Sequence, residues 1–408
     1  MSLASLAPLA PRLLTVLLLI SVQMNAQGRK YTFGPRLDLA GGGGTDPYFA
    51  GTQHRGSFYS EVYPSMVMRS DGERDTILAT YAFGYRRTIG SSNYQSNSHV
   101  ASATFSRALS PTWKFTLSDS FQITPDFATF NSTRGDTTAI DGFRFVFSPL
   151  STGRSTRTNT ATIGTEYRWG ADSALSLSAS HSLLAYPDSG TFRGILSNQQ
   201  RFSETVTYSH RISEHGTWTA GYTGAILTFK DFDTIHSHTA SVGYSHQIGR
   251  DLTIQVSGGP SYVQGSQAFY TSTGTYSGYN AAASLRKTIN GKDTVSLHYN
   301  DAIGDTSGLG SVSDIRSAGF GWTEMIGRSM NVFADLSAFD SRNRIGSIYN
   351  ARGISAAAGV GMVLTRELSL NAGAQYQRYD HTSLFGFNQK RVFFSLRYNA
   401  PELWKFSR

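Results

Sequence analysis

The feature that most constrains this chain is a regular alternation of apolar and polar residues over strand-length segments. In residues 367–377 every second residue from Leu368 to Tyr376 is apolar or alanine, and the residues between are polar or small. Successive side chains of a β-strand point to opposite faces, so the pattern predicts strands that separate two different environments. The same alternation recurs in 76–86 and 160–169.

The N-terminal segment has a different character and predicts a secretory signal peptide over residues 1–26. Arg12 precedes the apolar run 13–22, which is shorter than the roughly 20 residues that a spanning helix needs. Ala26 is the small residue expected at a cleavage site. Arg12 is the only charge in this segment, so 35 of the 36 basic residues remain against 28 acidic ones, a net charge of +7.

The chain contains no cysteine. Disulfides, thiolate metal sites and a lipid anchor on an N-terminal cysteine are therefore not expected. No linker or break in composition divides the remainder, and we expect 27–408 to form one unit.

Two kinds of connection alternate between the predicted strands. The short ones contain residues typical of tight turns, and most recur about every forty residues. The long ones are polar, and the longest is 125–155. The short turns are centred near positions 72, 111, 171, 215, 250, 291, 328 and 366.

This plan predicts an all-β fold, a closed antiparallel transmembrane β-barrel. One face of each strand would contact hydrocarbon, and the other would line a polar interior. Eight short turns with both termini on the same side give about 18 strands, with 16 as the alternative. The N-terminal member would be Tyr31–Leu39, which contains Pro35. We expect the short turns in the periplasm and the long loops outside a bacterial outer membrane.

The tryptophan positions, which were not used to assign the turns, give a separate check of the plan. Trp113 and Trp218 begin strands after short turns, whereas Trp169 and Trp322 end strands before them. Aromatic side chains concentrate at the level of the lipid headgroups, so these four predict a periplasmic aromatic girdle.

The predicted interior carries charge. The alternation places five residues inside, where a mostly basic lining would favour anions or acidic sugars. The alternative is that they pair with acids of an inward loop and only hold the barrel rigid. The five are Arg86, Glu166, Arg168, Arg211 and Arg286.

The longest connection is the candidate constriction. A loop of this length is usually functional, and it could fold into the lumen or extend outward as a cap. Its charged residues are Asp126, Arg134, Asp136, Asp141, Arg144 and Arg154.

Several sequence segments resemble those of outer-membrane β-barrels associated with exopolysaccharide biosynthesis, which are also described as porins of the second β-barrel type. They are FYSEVYPSMVM at 58–68, LSDSFQITPDFATFN at 117–131, FRFVFSP at 143–149 and VFFSLRY at 392–398. The resemblance implies a role in polysaccharide secretion or sugar passage, with secretion components as partners. It supplies no catalytic motif.

Motifs for other chemistry are weak, and we expect neither an enzyme nor a cofactor or metal. In each Ser-His dipeptide, at 180–181, 209–210 and 245–246, the two side chains point to opposite faces of a strand and cannot hydrogen-bond directly. His236 and His238 share a face but have no clear third ligand. Gly41–Gly44 is not followed by the lysine of a phosphate loop. We therefore interpret this glycine run as a flexible extracellular loop.

Three functional hypotheses are compared: a pore or export conduit, a structural or docking barrel, and, against the expectation of no enzyme, an outer-membrane hydrolase. The expected partners are outer-membrane lipid and the barrel assembly machinery. Nucleic acid is not expected as a partner, and the sequence does not give the oligomeric state.

Overall fold

In the computed structural model, the described residues are 29–45, 56–90, 94–125, 155–186, 198–230, 234–267, 270–305, 312–345, 350–381, 387–400 and 404–407. The predicted signal peptide and the loop 126–154 lie outside them. Within these ranges, no helix is long and apolar enough to cross a membrane.

The described residues form nineteen β-strands. From β1 to β18, successive strands pair antiparallel along the chain. The strands are β1 Lys30–Thr45, β2 Gly56–Asp71, β3 Asp75–Gly90, β4 Tyr94–Ala108, β5 Trp113–Pro125, β6 Ser155–Trp169, β7 Ser173–Ala185, β8 Gln199–Arg211, β9 Gly216–Phe229, β10 Thr234–Ile248, β11 Leu252–Gln267, β12 Tyr270–Ile289, β13 Asp293–Asp305, β14 Val312–Ile326, β15 Met330–Ile345, β16 Ala351–Val363, β17 Leu368–His381, β18 Phe387–Asn399 and β19 Trp404–Ser407.

The sheet closes on itself through β1, which pairs with β2 on one side and with β18 on the other. The short β19 pairs with residues 30–33 of β1, beyond the end of β18, so β18 and β19 share one position in the wall. The wall is therefore eighteen strands around. This confirms the predicted barrel and strand count, and Tyr31–Leu39 lies within the closing strand.

Pro35 is accommodated at the junction between β18 and β19. Neither strand pairs with Gly34 or Pro35, because the ladder passes from Phe33–Trp404 to Arg36–Asn399. The carbonyl of Pro35 accepts a hydrogen bond of 3.1 Å from the amide of Ala400. The missing N–H of proline thus falls where the ladder is interrupted and deprives no neighbouring strand of a donor.

Eight short connections join the strands at one end of the barrel, as the turn residues predicted. Four of them contain a glycine with positive φ: Gly170, Gly249, Gly291 and Gly327, at 62–70°. Glycine adopts this conformation without a steric cost. We call this the turn end and the opposite end the loop end.

Each strand has an apolar outer face and an inner face of mostly polar or small residues. Val242, Val392 and Phe394 are 63%, 63% and 56% exposed on the outer face. Their neighbours along the strand, such as Gly243 and Arg391, lie on the inner face. Because the sheet is closed, this inner face bounds a lumen.

The run Gly41–Gly44 is part of β1, so the prediction of a flexible loop was wrong. Each of the four residues pairs with both β2 and β18. The run is needed for close packing on both faces of the wall. A Cβ on Gly42 would lie 2.9 Å from the Tyr59 hydroxyl inside, and a Cβ on Gly41 would lie 2.7 Å from the Phe394 ring outside.

Candidate pore lumen

Basic side chains outnumber acidic ones on the inner face of β1–β18. The register places eleven basic and five acidic residues there, an excess of six positive charges. The basic residues are Lys30, Arg36, Arg69, Arg86, Lys114, Arg168, Arg201, Arg211, Arg286, Arg391 and Arg397. The acidic residues are Asp38, Glu61, Asp71, Glu166 and Asp335.

The charges are unevenly distributed around the barrel. Ten of the eleven basic residues lie on β18 and on β1–β8, which we call the basic wall. Among the residues of β9–β17 that have a partner in the register, only Arg286 and Asp335 carry a formal charge on the inner face. The lumen therefore lies between a cationic surface and a nearly neutral one.

Toward the loop end, the basic wall is built around Tyr59. The Arg86 guanidinium carbon lies 4.6 Å from the centre of the Tyr59 ring, and that of Arg391 lies 5.6 Å from it. Arg86 also pairs with Glu61 at 3.2 Å, and both side chains are largely buried. Cation–π contacts and the ion pair hold these groups against the wall.

Toward the turn end, basic residues from several strands surround the lumen. The Arg168 Nε lies 2.5 Å from a Glu166 oxygen, and Lys114 is opposite Glu166 on the adjacent strand. Arg211 pairs with Asp172 of the adjoining turn at 2.8 Å. These pairs are half-exposed, so both members remain accessible to solutes.

The register places all five predicted lumen residues on the inner face. Glu166 and Arg168 are in contact, and Arg211 and Arg286 lie at the same end of the barrel. Arg86 lies apart from them, near the loop end. The predicted constriction residues of 126–154 are outside the described part of the chain.

An apolar cluster interrupts the polar lining at the loop end of β9–β11. Leu227, Phe229, Ile235 and Val263 are at most 6% exposed and pack together, with Tyr276 and Ile303 against them. Their register places the first four on the inner face. At this end the inner face is therefore apolar on the neutral side and charged on the basic side.

On the outer face, aromatic rings form a continuous band near the turn end. The ring centres of Trp169 and Tyr208 are 5.6 Å apart, and those of Tyr208 and Trp218 are 5.2 Å apart. Tyr167 continues the band to Trp113 at 6.5 Å. Trp322 also faces outward near this end, on β14. All four tryptophans of the predicted girdle thus face outward toward the turn end.

Fluorescence quenching tests whether this band lies at a membrane interface. We expect lipids brominated near the headgroup to quench the tryptophans of the folded protein more strongly than lipids brominated near the chain ends, because indole rings concentrate at headgroup level. The measurement compares emission from vesicles of the two lipids. Equal or reversed quenching would contradict an interfacial girdle.

Within the described residues, a serine–histidine hydrogen bond that the sequence pattern did not indicate joins two strands. Ser173 and His210 lie on neighbouring strands, and Oγ and Nδ1 are 2.8 Å apart. His210 is stacked beside Tyr208 and also contacts Trp218. His210 donates no hydrogen bond to a carboxylate within the described residues, so the pair lacks the orienting acid of a triad.

Metal ligation has no support in the described residues, where no three His, Asp or Glu side chains are grouped to hold an ion. His236 and His238 both face outward, and His238 Nδ1 instead lies 2.6 Å from the Tyr222 hydroxyl.

Asp119 is a polar exception on the outer face. It lies opposite Ala103 and Ala161 in an unbroken register. Asn159 Nδ2 donates a hydrogen bond of 2.9 Å to its Oδ1. This bond partly compensates a carboxylate that would otherwise meet hydrocarbon without a partner.

Comparison with known proteins finds solved structures that align with this chain at low sequence identity. No family model and no curated protein matches the chain. Among solved structures, OccK7 (OpdD) of Pseudomonas aeruginosa aligns at a TM-score of 0.49 and 11% identity, over 92% of this chain and 100% of that one. OccAB4 of Acinetobacter baumannii gives 0.49 and 9%, over 94% and 99%.

Sequence reasoning missed most of the basic wall. The segment 58–69 has no clear apolar face, so the inward direction of Tyr59 and Glu61 could not be assigned. Arg201 and Arg391 lie in segments whose alternation is regular, and extending it would have placed both inside. The grouping of Tyr59, Arg86 and Arg391 depends on pairing between the two ends of the chain.

Proposed function

We propose that this chain is a porin-like channel of a bacterial outer membrane that favours anionic solutes. The observation that carries the proposal is the excess of eleven basic over five acidic residues on the inner face of a closed eighteen-strand wall. Barrels of this size leave an aqueous channel. Rings of basic side chains select for anions.

The outer surface supports a membrane location. Closed barrels satisfy every backbone group of the wall without water, which is the requirement for a β-structure in hydrocarbon. The apolar outer face and the aromatic band at the turn end are the surfaces that lipid and its headgroups would cover. The short turns would then face the periplasm.

Planar-bilayer recording tests the proposal. We expect discrete conductance steps and a reversal potential in a KCl gradient that reports chloride as the more permeant ion. A correctly folded barrel that shows no conductance steps would contradict the channel and would favour a docking role for the loops. Cation selectivity would contradict the role given to the basic wall.

Export of exopolysaccharide is the finer proposal, and it is supported by the resemblance of residues 58–68, 117–131, 143–149 and 392–398 to barrels of that kind. Deletion of the gene is expected to lower the polysaccharide released from the cells while synthesis continues inside. Unchanged release would contradict this role but would leave the anion channel standing.

A further inference from the structure

The outer face of β15–β18 carries charge close to the loop end, where a lipid-facing surface usually carries little. Four basic side chains share this level: Arg342, Arg352, Arg378 and Lys390. The register places them on the same face as Leu336, Ile354 and Val392. We call these four residues the basic belt.

The belt is exposed and only partly neutralised. Its arginine side chains are 57%, 74% and 56% exposed in chain order. Arg342 pairs with Asp340 at 2.8 Å. Arg352 and Arg378 share the single carboxylate of Asp380, at 3.7 and 3.2 Å. Two carboxylates for four basic groups leave an excess of two positive charges on this surface.

An apolar groove lies directly below the belt, toward the turn end. Its volume is about 1240 Å³, larger than the roughly 300–1,000 Å³ of a typical ligand pocket. Its outward-facing lining includes Ala334, Ala356, Ala358 and Ala374, with Phe58 and Phe394 on the β1 side. Lys390 belongs to both the groove and the belt.

The glycines of β1 leave room for the two phenylalanine rings that border this open groove. A Cβ on Gly43 would lie 3.0 Å from the Phe58 ring, and one on Gly41 would lie 2.7 Å from the Phe394 ring. Both rings therefore pack over glycine positions of β1. The concavity is part of the packed structure and does not depend on one flexible side chain.

We propose that this surface binds a phosphorylated acyl lipid of the outer leaflet, with its phosphates on the basic belt and an acyl chain in the groove. The belt supplies charge complementary to phosphate, and basic pockets on membrane proteins recognise anionic headgroups in this way. The groove supplies apolar surface where the chains of such a lipid begin. The proposal rests on the outer-membrane orientation given above.

Binding of defined lipids to the purified full-length barrel tests this site. A titration with bisphosphorylated lipid A, followed by native mass spectrometry, gives the apparent affinity. We expect Arg352→Gln with Arg378→Gln to weaken it by about 25-fold, roughly fivefold for each charge. The matched control is Arg87→Gln with Arg157→Gln, two exposed outward arginines on β3 and β6, and it is expected to bind as the wild type.

A second pair of variants tests the groove without changing any charge. Ala374→Phe is expected to fill it and weaken binding, whereas Ala101→Phe, on the outer face of β4, is expected to have no effect. The proposal would be overturned if a test variant and its control lost the same amount of lipid affinity, or if both test variants bound as the wild type. Equal affinity for dephosphorylated lipid would also overturn it.

Conductance of the same proteins separates this proposal from the channel function. The Arg352→Gln, Arg378→Gln variant changes no inward-facing residue, so its ion selectivity is expected to match the wild type. If this variant loses lipid binding but keeps normal conductance, the lipid site is supported as separate from the channel. A wild-type barrel that binds the lipid but does not conduct contradicts only the channel.

Discussion

Replacing Arg168, Arg211 and Arg286 with glutamate is expected to abolish the preference of the pore for anions. The three substitutions remove six units of charge, which cancels the excess of six on the inner face. Glu166 and Asp172 would also lose their arginine partners. Fields in charged channels concentrate counter-ions by tenfold or more, so we expect about a tenfold fall in the anion-to-cation permeability ratio, measured as the reversal potential in a KCl gradient.

The matched control reverses three arginines on the opposite side of the wall. Arg87, Arg107 and Arg157 face outward on β3, β4 and β6, and their replacement by glutamate changes the net charge of the protein by the same amount. We expect the reversal potential of this control to stay near that of the wild type. Equal shifts in both triple variants would mean that total charge, not the lumen lining, sets the selectivity.

A single methyl group on the inner face of β1 is expected to destabilise the closure of the barrel. In Gly42→Ala the new Cβ would lie 2.2 Å from the Val392 carbonyl oxygen, and in Gly44→Ala it would lie 2.1 Å from that of Lys390. Both atoms belong to the backbone of β18, so relief requires the two strands to separate. We expect each change to lower the free energy of unfolding by about 1–3 kcal/mol.

The same strand offers a control with the same substitution on the same face. A Cβ on Gly34 would have no atom nearer than the Ala400 carbonyl oxygen at 4.0 Å, so Gly34→Ala is expected to leave stability nearly unchanged. The measurement is the urea midpoint for unfolding from lipid vesicles, together with the mobility of unheated protein on gels. If Gly34→Ala were as harmful as Gly42→Ala, the contacts across the β1–β18 seam would not be the cause.

The glycine run shows where local sequence reasoning fails. Four consecutive glycines favour a loop because glycine has the greatest conformational freedom of any residue. In the barrel they occupy the closing strand, since Tyr59 and Arg391 inside and Phe58 and Phe394 outside need the space of a missing Cβ. Those partners come from β2 and β18, and no local pattern reports them.

The lumen charges show a partial success of the same reasoning. Arg86, Glu166, Arg168, Arg211 and Arg286 lie on strands with a clear apolar face, so parity alone placed them inside. Their number could be estimated from the sequence, but their concentration on one wall could not. That distribution follows from β18 pairing with β1, which brings residues near 391 beside residues near 59 and 86.

The sequence by itself determined the strands, the short turns, the direction of each face where the alternation is regular, and the class of fold. A period of two and a tight turn depend on neighbouring residues, so they can be read along the chain. The tertiary structure decided how the barrel closes and which two arginines contact the Tyr59 ring. It also decided that an apolar groove lies next to the basic belt. These features depend on pairing between distant segments, and the physical reason is that closure fixes which side chains meet only after every strand has found its neighbours.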